Sequence, residues 1–304
     1  MFKRAKILAL PLVLAAVLAL LLFPGCGEKE AGPGETAAEG LTIQELQQVV
    51  ADSVAEVKNA TSYEFSLEMD MNVEIIGGSE AGKMALEMKS SGAADMAANE
   101  MKMDMDVSMD LDIPGMDEGS QSLSVEIYML ADWIYMKMGV EGLGEQWIKT
   151  SVTESVKEAY DLDILDQQLA PLESLGEIQF VKYETVDGSP CYVIKIVPDM
   201  EAMRNWLGEQ GMLSMTTGWN PADWDLIDDI FKELSCSVWV AKDSKLIKKM
   251  KMVMDMEMTA EQAGASASDF DKMSIDVDLD MSLKDYNEPV SIELPDEAED
   301  ATEM

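Results

Sequence analysis

The chain has 304 residues, enough for one large domain or two small ones, and 47% of them are hydrophobic, ample for a folded core. Its 59 acidic residues against 22 basic ones leave a net charge of −37, which excludes a nucleic-acid binder and repels anionic headgroups, so any membrane attachment must come from elsewhere. There is no histidine, which rules out His-based acid–base catalysis, His-containing triads and His-rich zinc sites.

The N-terminus reads as an export signal. Lys3, Arg4 and Lys6 form a basic start, Ile7 to Phe23 an apolar run, and FPGCG puts Gly25 directly before Cys26. Residues 1–25 are therefore expected to be a signal peptide. A cysteine directly after the small residue resembles the bacterial lipobox, in which that cysteine is lipid-modified and begins the mature chain. An uncleaved helical anchor is the alternative, at the short end of the spanning range. Residues 26–40, rich in Gly, Glu and Ala, read as a flexible tether reaching about 20 Å from the membrane.

The folded part is expected over residues 41–295. Thr42 and Glu45 stand in capping-box spacing, and Ile43, Leu46, Val49, Val50, Val54 and Val57 form one helical stripe. Strict alternation follows in SYEFSLEMDMNVEI, where Phe65, Leu67, Met69 and Met71 share a face opposite Glu64, Glu68 and Asp70. KMALEMKS starts a return strand. MKMDMDVSMDLDI repeats the alternation with Met101, Met103, Met105 and Met109 on one side, up to a turn at Pro114-Gly115. SLSVEIYML and a Gly-rich hairpin over DWIYMKMGVEGLGEQWIKT follow. Helical stretches are then expected from Ser151 to Pro171, over about 199–209, and from Asn220 through Trp224, Ile227 and Phe231. Between the first two lies a hairpin about Asp187-Gly188. KMKMVMDMEM sets Met250, Met252, Met254, Met256 and Met258 at every second position. The last strand carries Met273, Ile275, Val277, Leu279 and Met281, and residues 296–304 read as a solvated, disordered acidic tail.

The expected fold is α+β: nine to eleven strands in a long, strongly curved antiparallel sheet, a half-barrel whose apolar concave face is covered by helices. The order of elements, with the lipobox, the tether, one helix running into TSYEFSLEM, the pair DWIYMKM/QWIKT, then VDGSPCYVIKIV and KLIKKMKMVMDMEM, resembles the LolA/LppX-like envelope lipoprotein superfamily over about residues 41–295. The resemblance implies a half-barrel lined with apolar side chains, in relatives that carry acyl chains of lipoproteins or glycolipids. It transfers no ligand-contacting residue.

Three readings of the methionine face stand side by side: a core filled by Met, an adaptable cavity wall, and soft-metal binding through thioethers. Same-face neighbours along a strand lie about 6.5–7 Å apart, which disfavours the metal. DMDVSMDLD has the acids of a calcium loop but Met109 where such a loop needs glycine. Cys191 and Cys236, each near a strand start, are the candidate disulfide of an exported protein. No nucleophile-elbow, P-loop or zincin motif appears, so a non-enzyme with no cofactor is expected. The sequence thus predicts a lipid-anchored protein on the extracytoplasmic side of the membrane. Its candidate cavity is lined by Phe65, Leu67, Met69, Met71, Met101, Met103, Met105, Met109, Met250, Met252, Met254, Met256, Met273, Ile275, Val277 and Met281. A lipid or other hydrophobic molecule is the expected ligand. The alternatives are a structural envelope lipoprotein with a filled core and a methionine-based copper binder.

Overall fold

The computed structural model describes residues 41–79, 81–112, 119–130, 132–140, 144–152, 175–198, 230–262 and 270–303. Helix α1 (Ile43–Lys58) begins on the expected capping box: Thr42 Oγ1 accepts from the Glu45 N–H at 3.2 Å and the Thr42 N–H donates to Glu45 Oε2 at 2.7 Å. That backbone donor holds the Glu45 carboxyl below the usual carboxylate range. Leu46, Val49, Val50, Val54 and Val57 are all buried, and Ser53 fits among them by donating its hydroxyl to the Val50 carbonyl at 2.7 Å.

Two antiparallel meanders make the sheet. The first comprises β1 (Ser62–Ile76), β2 (Gly82–Asp95), β3 (Glu100–Asp112), β4 (Gly119–Leu130), β5 (Trp133–Val140) and β6 (Gly144–Ser151). The second comprises β7 (Leu175–Val186), β8 (Ser189–Pro198), β9 (Phe231–Ala241), β10 (Ile247–Thr259) and β11 (Lys272–Lys284). Pairing of β1 with β11 fuses them into one curved, unclosed sheet, ordered β12-β6-β5-β4-β3-β2-β1-β11-β10-β9-β8-β7, with β12 (Thr302–Glu303) at one edge. The half-barrel architecture expected from the alternation is present. Asp187 and Gly188 join β7 to β8 with φ of 47° and 77°, the left-handed pair a type I′ hairpin turn requires.

Several expectations change. Twelve strands occur among the described residues, and the one beyond the expected range is β12. Residues 296–303 are not a free tail: Asp296–Ala298 form a 3-10 turn, Ala298 and Ala301 are buried, and Thr302 and Glu303 pair in parallel with Ile148 and Lys149. The edge of β6 offers unpaired backbone groups, and two small alanines within the acidic run let the chain pack there. Phe231 opens β9 instead of lying on a helix, pairing across to Met256. The helical stretches expected at 153–171, 199–209 and 220–229, the Pro114-Gly115 turn and Cys26 lie outside the described residues.

Cys191 and Cys236 are free and buried. Cys191 pairs with Ala241 and Cys236 with Ile196, so the two lie five residues apart along neighbouring strands and on opposite faces. Five strand steps are about 17 Å, far beyond the 7 Å Cα limit for a bridge.

The concave apolar face

Register brings every predicted lining residue onto one face. A single row across the sheet reads Met138, Val125, Met105, Ser90, Leu67, Met281, Met250, Val238, Ile194 and Phe180, each residue directly opposite the next. Parallel rows hold Met103 opposite Gly92 and Phe65, and Val107 opposite Met88 and Met69. Further rows set Met71 against Val277 and Met254, and Ile275 against Met256. Four methionine pairs sit directly across strands: Met69–Met88, Met101–Met129, Met250–Met281 and Met258–Met273.

The face is closed unevenly. Helix α1 lies over β7, β9 and β10, and its stripe shares one core with Ile178, Ile194, Ile196, Val238, Val240 and Ile247. Fully burying each such side chain is worth about 1.5–3 kcal/mol. Leu67, Met69, Met71, Met250, Val277 and Met281 are buried as well. Toward β3–β5 burial is mixed: Val125, Met129 and Ile134 are buried, Met101, Met103, Met105, Met109, Ile127 and Met136 are half-buried, and Met138 is 41% exposed. Phe65, Met252, Met254, Met256, Met273 and Ile275 are half-buried too. A hollow of about 500 Å³ near this end of the sheet is lined mainly by the opposite, acidic face, with Asn72, Glu74, Lys83, Asp110 and Asp276. Only Val73, Met84 and Leu111 of its lining belong to the apolar face, so it is not a cavity of the methionine wall.

The sixteen predicted residues omitted the contribution of β2, β4 and β5. Met84, Leu86 and Met88 stand in the same alternation in KMALEMKS, and Val125, Ile127 and Met129 in SLSVEIYML; their period was readable in the sequence, their alignment with β1 and β3 was not.

Cys236 belongs to this face, directly opposite Met252. Its complete burial pushes the thiol up from 9.0 to about 12, so it stays protonated at neutral pH. A soft metal needs the thiolate, so this sulfur adds little to the thioethers around it. Among the described residues no group of three His, Cys, Asp or Glu side chains is placed to hold a metal ion, and no helix is long and apolar enough to cross a membrane.

The convex face is its chemical opposite, with carboxylates of β1, β2, β10 and β11 in register and lysines interspersed: Lys249 reaches Asp280 at 2.7 Å and Lys251 reaches Asp278 at 3.0 Å. Fold and face together define an unclosed half-barrel with an acidic convex side and an apolar concave side that, among the described residues, α1 covers over β7, β9 and β10.

The chain belongs to DUF6612, a family of unknown function, whose model matches residues 45–303. A search among curated proteins finds no match. Among solved structures the chain is similar to the lipoprotein LppX of Mycobacterium tuberculosis, with 14% identity, 83% of this chain and 100% of that one covered, and a TM-score of 0.41. It is also similar to LprF from Mycobacterium bovis, with 13% identity, 84% and 99% coverage and a TM-score of 0.42. A putative outer-membrane lipoprotein-sorting protein domain from Vibrio parahaemolyticus is likewise similar, at 11% identity, 82% and 94% coverage and a TM-score of 0.21.

Proposed function

We propose that this is a lipid-anchored protein of the cell envelope whose concave face holds an apolar ligand, a lipid or acyl chain, without catalysing a reaction on it. The observation that carries the reading is the uneven closure of this face. Among the described residues α1 packs on one part of the apolar wall, over β7, β9 and β10. The same wall continues across β3–β5, where half-buried Met101, Met103, Met105 and Met109 and exposed Met138 stand beside buried Val125, Met129 and Ile134. Soluble proteins seldom leave a continuous apolar surface uncovered unless something occupies it. Thioether side chains suit such an occupant, because they re-pack around varied apolar shapes. Anchoring through Cys26 would place the face outside the cytoplasm, on the tether of residues 26–40.

The test is solvent extraction of the natively expressed full chain followed by mass spectrometry, with binding of a fluorescent apolar probe to the delipidated protein. Co-extracted acyl lipid and saturable probe binding are expected. Absence of both would leave the structural lipoprotein with a filled core as the correct reading.

A further inference from the structure

Among the described residues one buried polar side chain stands within the apolar wall, while Gln121, Gln146 and Thr150 lie at its less buried end. Ser90, in the middle of β2, points to the concave face between Leu67 of β1 and Met105 of β3. The residue is 8% exposed, and among the described residues its hydroxyl is the one buried side-chain N or O atom without a hydrogen-bond partner. A buried hydroxyl left unsatisfied costs about 1–3 kcal/mol, and native structures hold few of them. Alanine or valine would pack here without that cost. Ser53 shows the usual alternative, a buried hydroxyl satisfied by its own helix.

The surroundings of Ser90 are shaped as well as polar. On this face β2 runs Ser90, Gly92, Ala94, three small residues in succession, where β1 and β3 present Tyr63, Phe65, Leu67 and Met101, Met103, Met105. The size difference leaves a trough along β2 that its neighbours close over: Phe65 lies against Gly92, and Ser90 and Ala94 are buried. Its β3 wall is made of the half-buried, adaptable methionines. Small residues alone would be a packing detail. The orphan hydroxyl aimed into their midst specifies what the trough should meet: a group that hydrogen-bonds.

We propose that Ser90 is the polar contact for a neutral oxygen of an acyl lipid, the ester carbonyl, whose chain lies along the methionine wall; this rests on the apolar-ligand reading above. An ionised carboxylate is the wrong partner, since one hydroxyl cannot offset the burial of a full charge, and the protein's own charge of −37 opposes a further anion. A plain hydrocarbon would leave the hydroxyl unsatisfied. The ester carbonyl accepts from Ser90 Oγ and leaves nothing charged behind.

The test uses the full chain at fixed detergent concentration, with N-phenylnaphthylamine as the fluorescent probe and lauroyl glycerol, laurate and dodecane as competitors. In the parent protein lauroyl glycerol should compete best. Ser90→Ala should weaken lauroyl glycerol about five- to tenfold in Kd, the worth of one neutral hydrogen bond, and leave dodecane unchanged. Ser90→Thr, which keeps the hydroxyl, should retain most of the ester's affinity. The ligand-free Ser90→Ala protein should melt no lower than the parent, which separates a binding role from a structural one. Equal loss for ester and hydrocarbon, or no loss for either, overturns the role of Ser90 while leaving the apolar face intact. Laurate competing better than the ester overturns the neutral-ligand assignment. Failure of the probe to bind the parent overturns the apolar-ligand reading and this inference together.

Discussion

The convex face makes an unusual stability prediction, because β-pairing has aligned its acids. Asp70 stands directly between Asp278 on β11 and Glu87 on β2, and Asp255 between Glu233 and Asp276. Like charges directly opposite in an antiparallel pair oppose folding by about 0.2–1 kcal/mol each. Asp70→Lys converts two repulsive pairs into two attractive ones, a swing of about 1–4 kcal/mol before losses. One loss is identifiable: Lys251, hydrogen-bonded to Asp278 and raised chiefly by that contact, also feels Asp70. Asp70 is exposed, so the lower end applies, about 1 kcal/mol net, or an increase of about 2–4 °C in Tm for a domain of this size. Asp70→Asn should give about half of it. Circular-dichroism melts in about 10 mM and about 1 M NaCl provide the check, since the Debye length falls from about 30 to about 3 Å, below the cross-strand spacing. The gain should be largest at low salt and nearly vanish at high salt, while the parent itself gains stability with salt. A lower Tm for Asp70→Lys at low salt, or a gain indifferent to salt, would refute the reasoning.

Gly92→Ala should destabilise despite the usual preference for Ala over Gly. An added Cβ would press on the Lys102 carbonyl oxygen and sit 2.6 Å from Phe65 Cζ. Overpacking of about 1–3 kcal/mol outweighs the backbone gain of about 0.5–1 kcal/mol; an unchanged or higher urea midpoint would contradict this. Cys236 should resist alkylation in the folded protein at pH 8 and react only on unfolding, and electrophoretic mobility should not depend on reductant, because the cysteines are not bonded. The raised thiol pKa carries a sign: its stabilising effect is complete below about pH 9 and is lost as pH rises toward about 12, so an alkaline titration should show Cys236→Ala losing less stability than the parent. Cys26→Ser should abolish incorporation of labelled palmitate; undiminished labelling would dismiss the lipobox.

What the sequence made legible was local. Alternation told which side chains of β1, β3, β10 and β11 share a face, because a strand's period is two whatever it pairs with. Asp187-Gly188 announced its own turn through the backbone angles it tolerates. Partner choice was hidden, since the joining of β1 to β11, more than two hundred residues apart, leaves no local trace. Cys191 and Cys236 looked pairable because, read from the sequence alone, each stands near the start of a strand; only the register puts them on opposite faces. Ser90 and Gly92 carried no signal of their own, because small residues in SSGAAD read as a fading strand until β1 and β3 flank them with large ones. Two alanines in an acidic run concealed the edge strand in the same way.

The division of side-chain types across the wall sharpens the question the methionines pose. Under α1 the sheet presents stiff, β-branched residues, Ile194, Ile196, Val238, Val240 and Ile247, against valines of the helix. Such residues have few rotamers and specify one fit. Toward β3–β5 the wall presents Met101, Met103, Met105, Met109, Met136 and Met138, with Val107, Val125, Ile127 and Ile134 among them. A core that merely needed filling would gain from the same stiff residues throughout, and β-propensity would favour them. Methionine instead keeps a surface of constant volume with many shapes. Replacing Met101, Met103 and Met105 together by leucine preserves volume, so each change should cost less than about 1.5 kcal/mol. On the proposed reading, what should narrow is the range of acyl-chain lengths that displace the apolar probe. Displacement curves for a series of monoacylglycerols would read this out directly. An unchanged range with lowered stability would mean that these methionines are ordinary core after all.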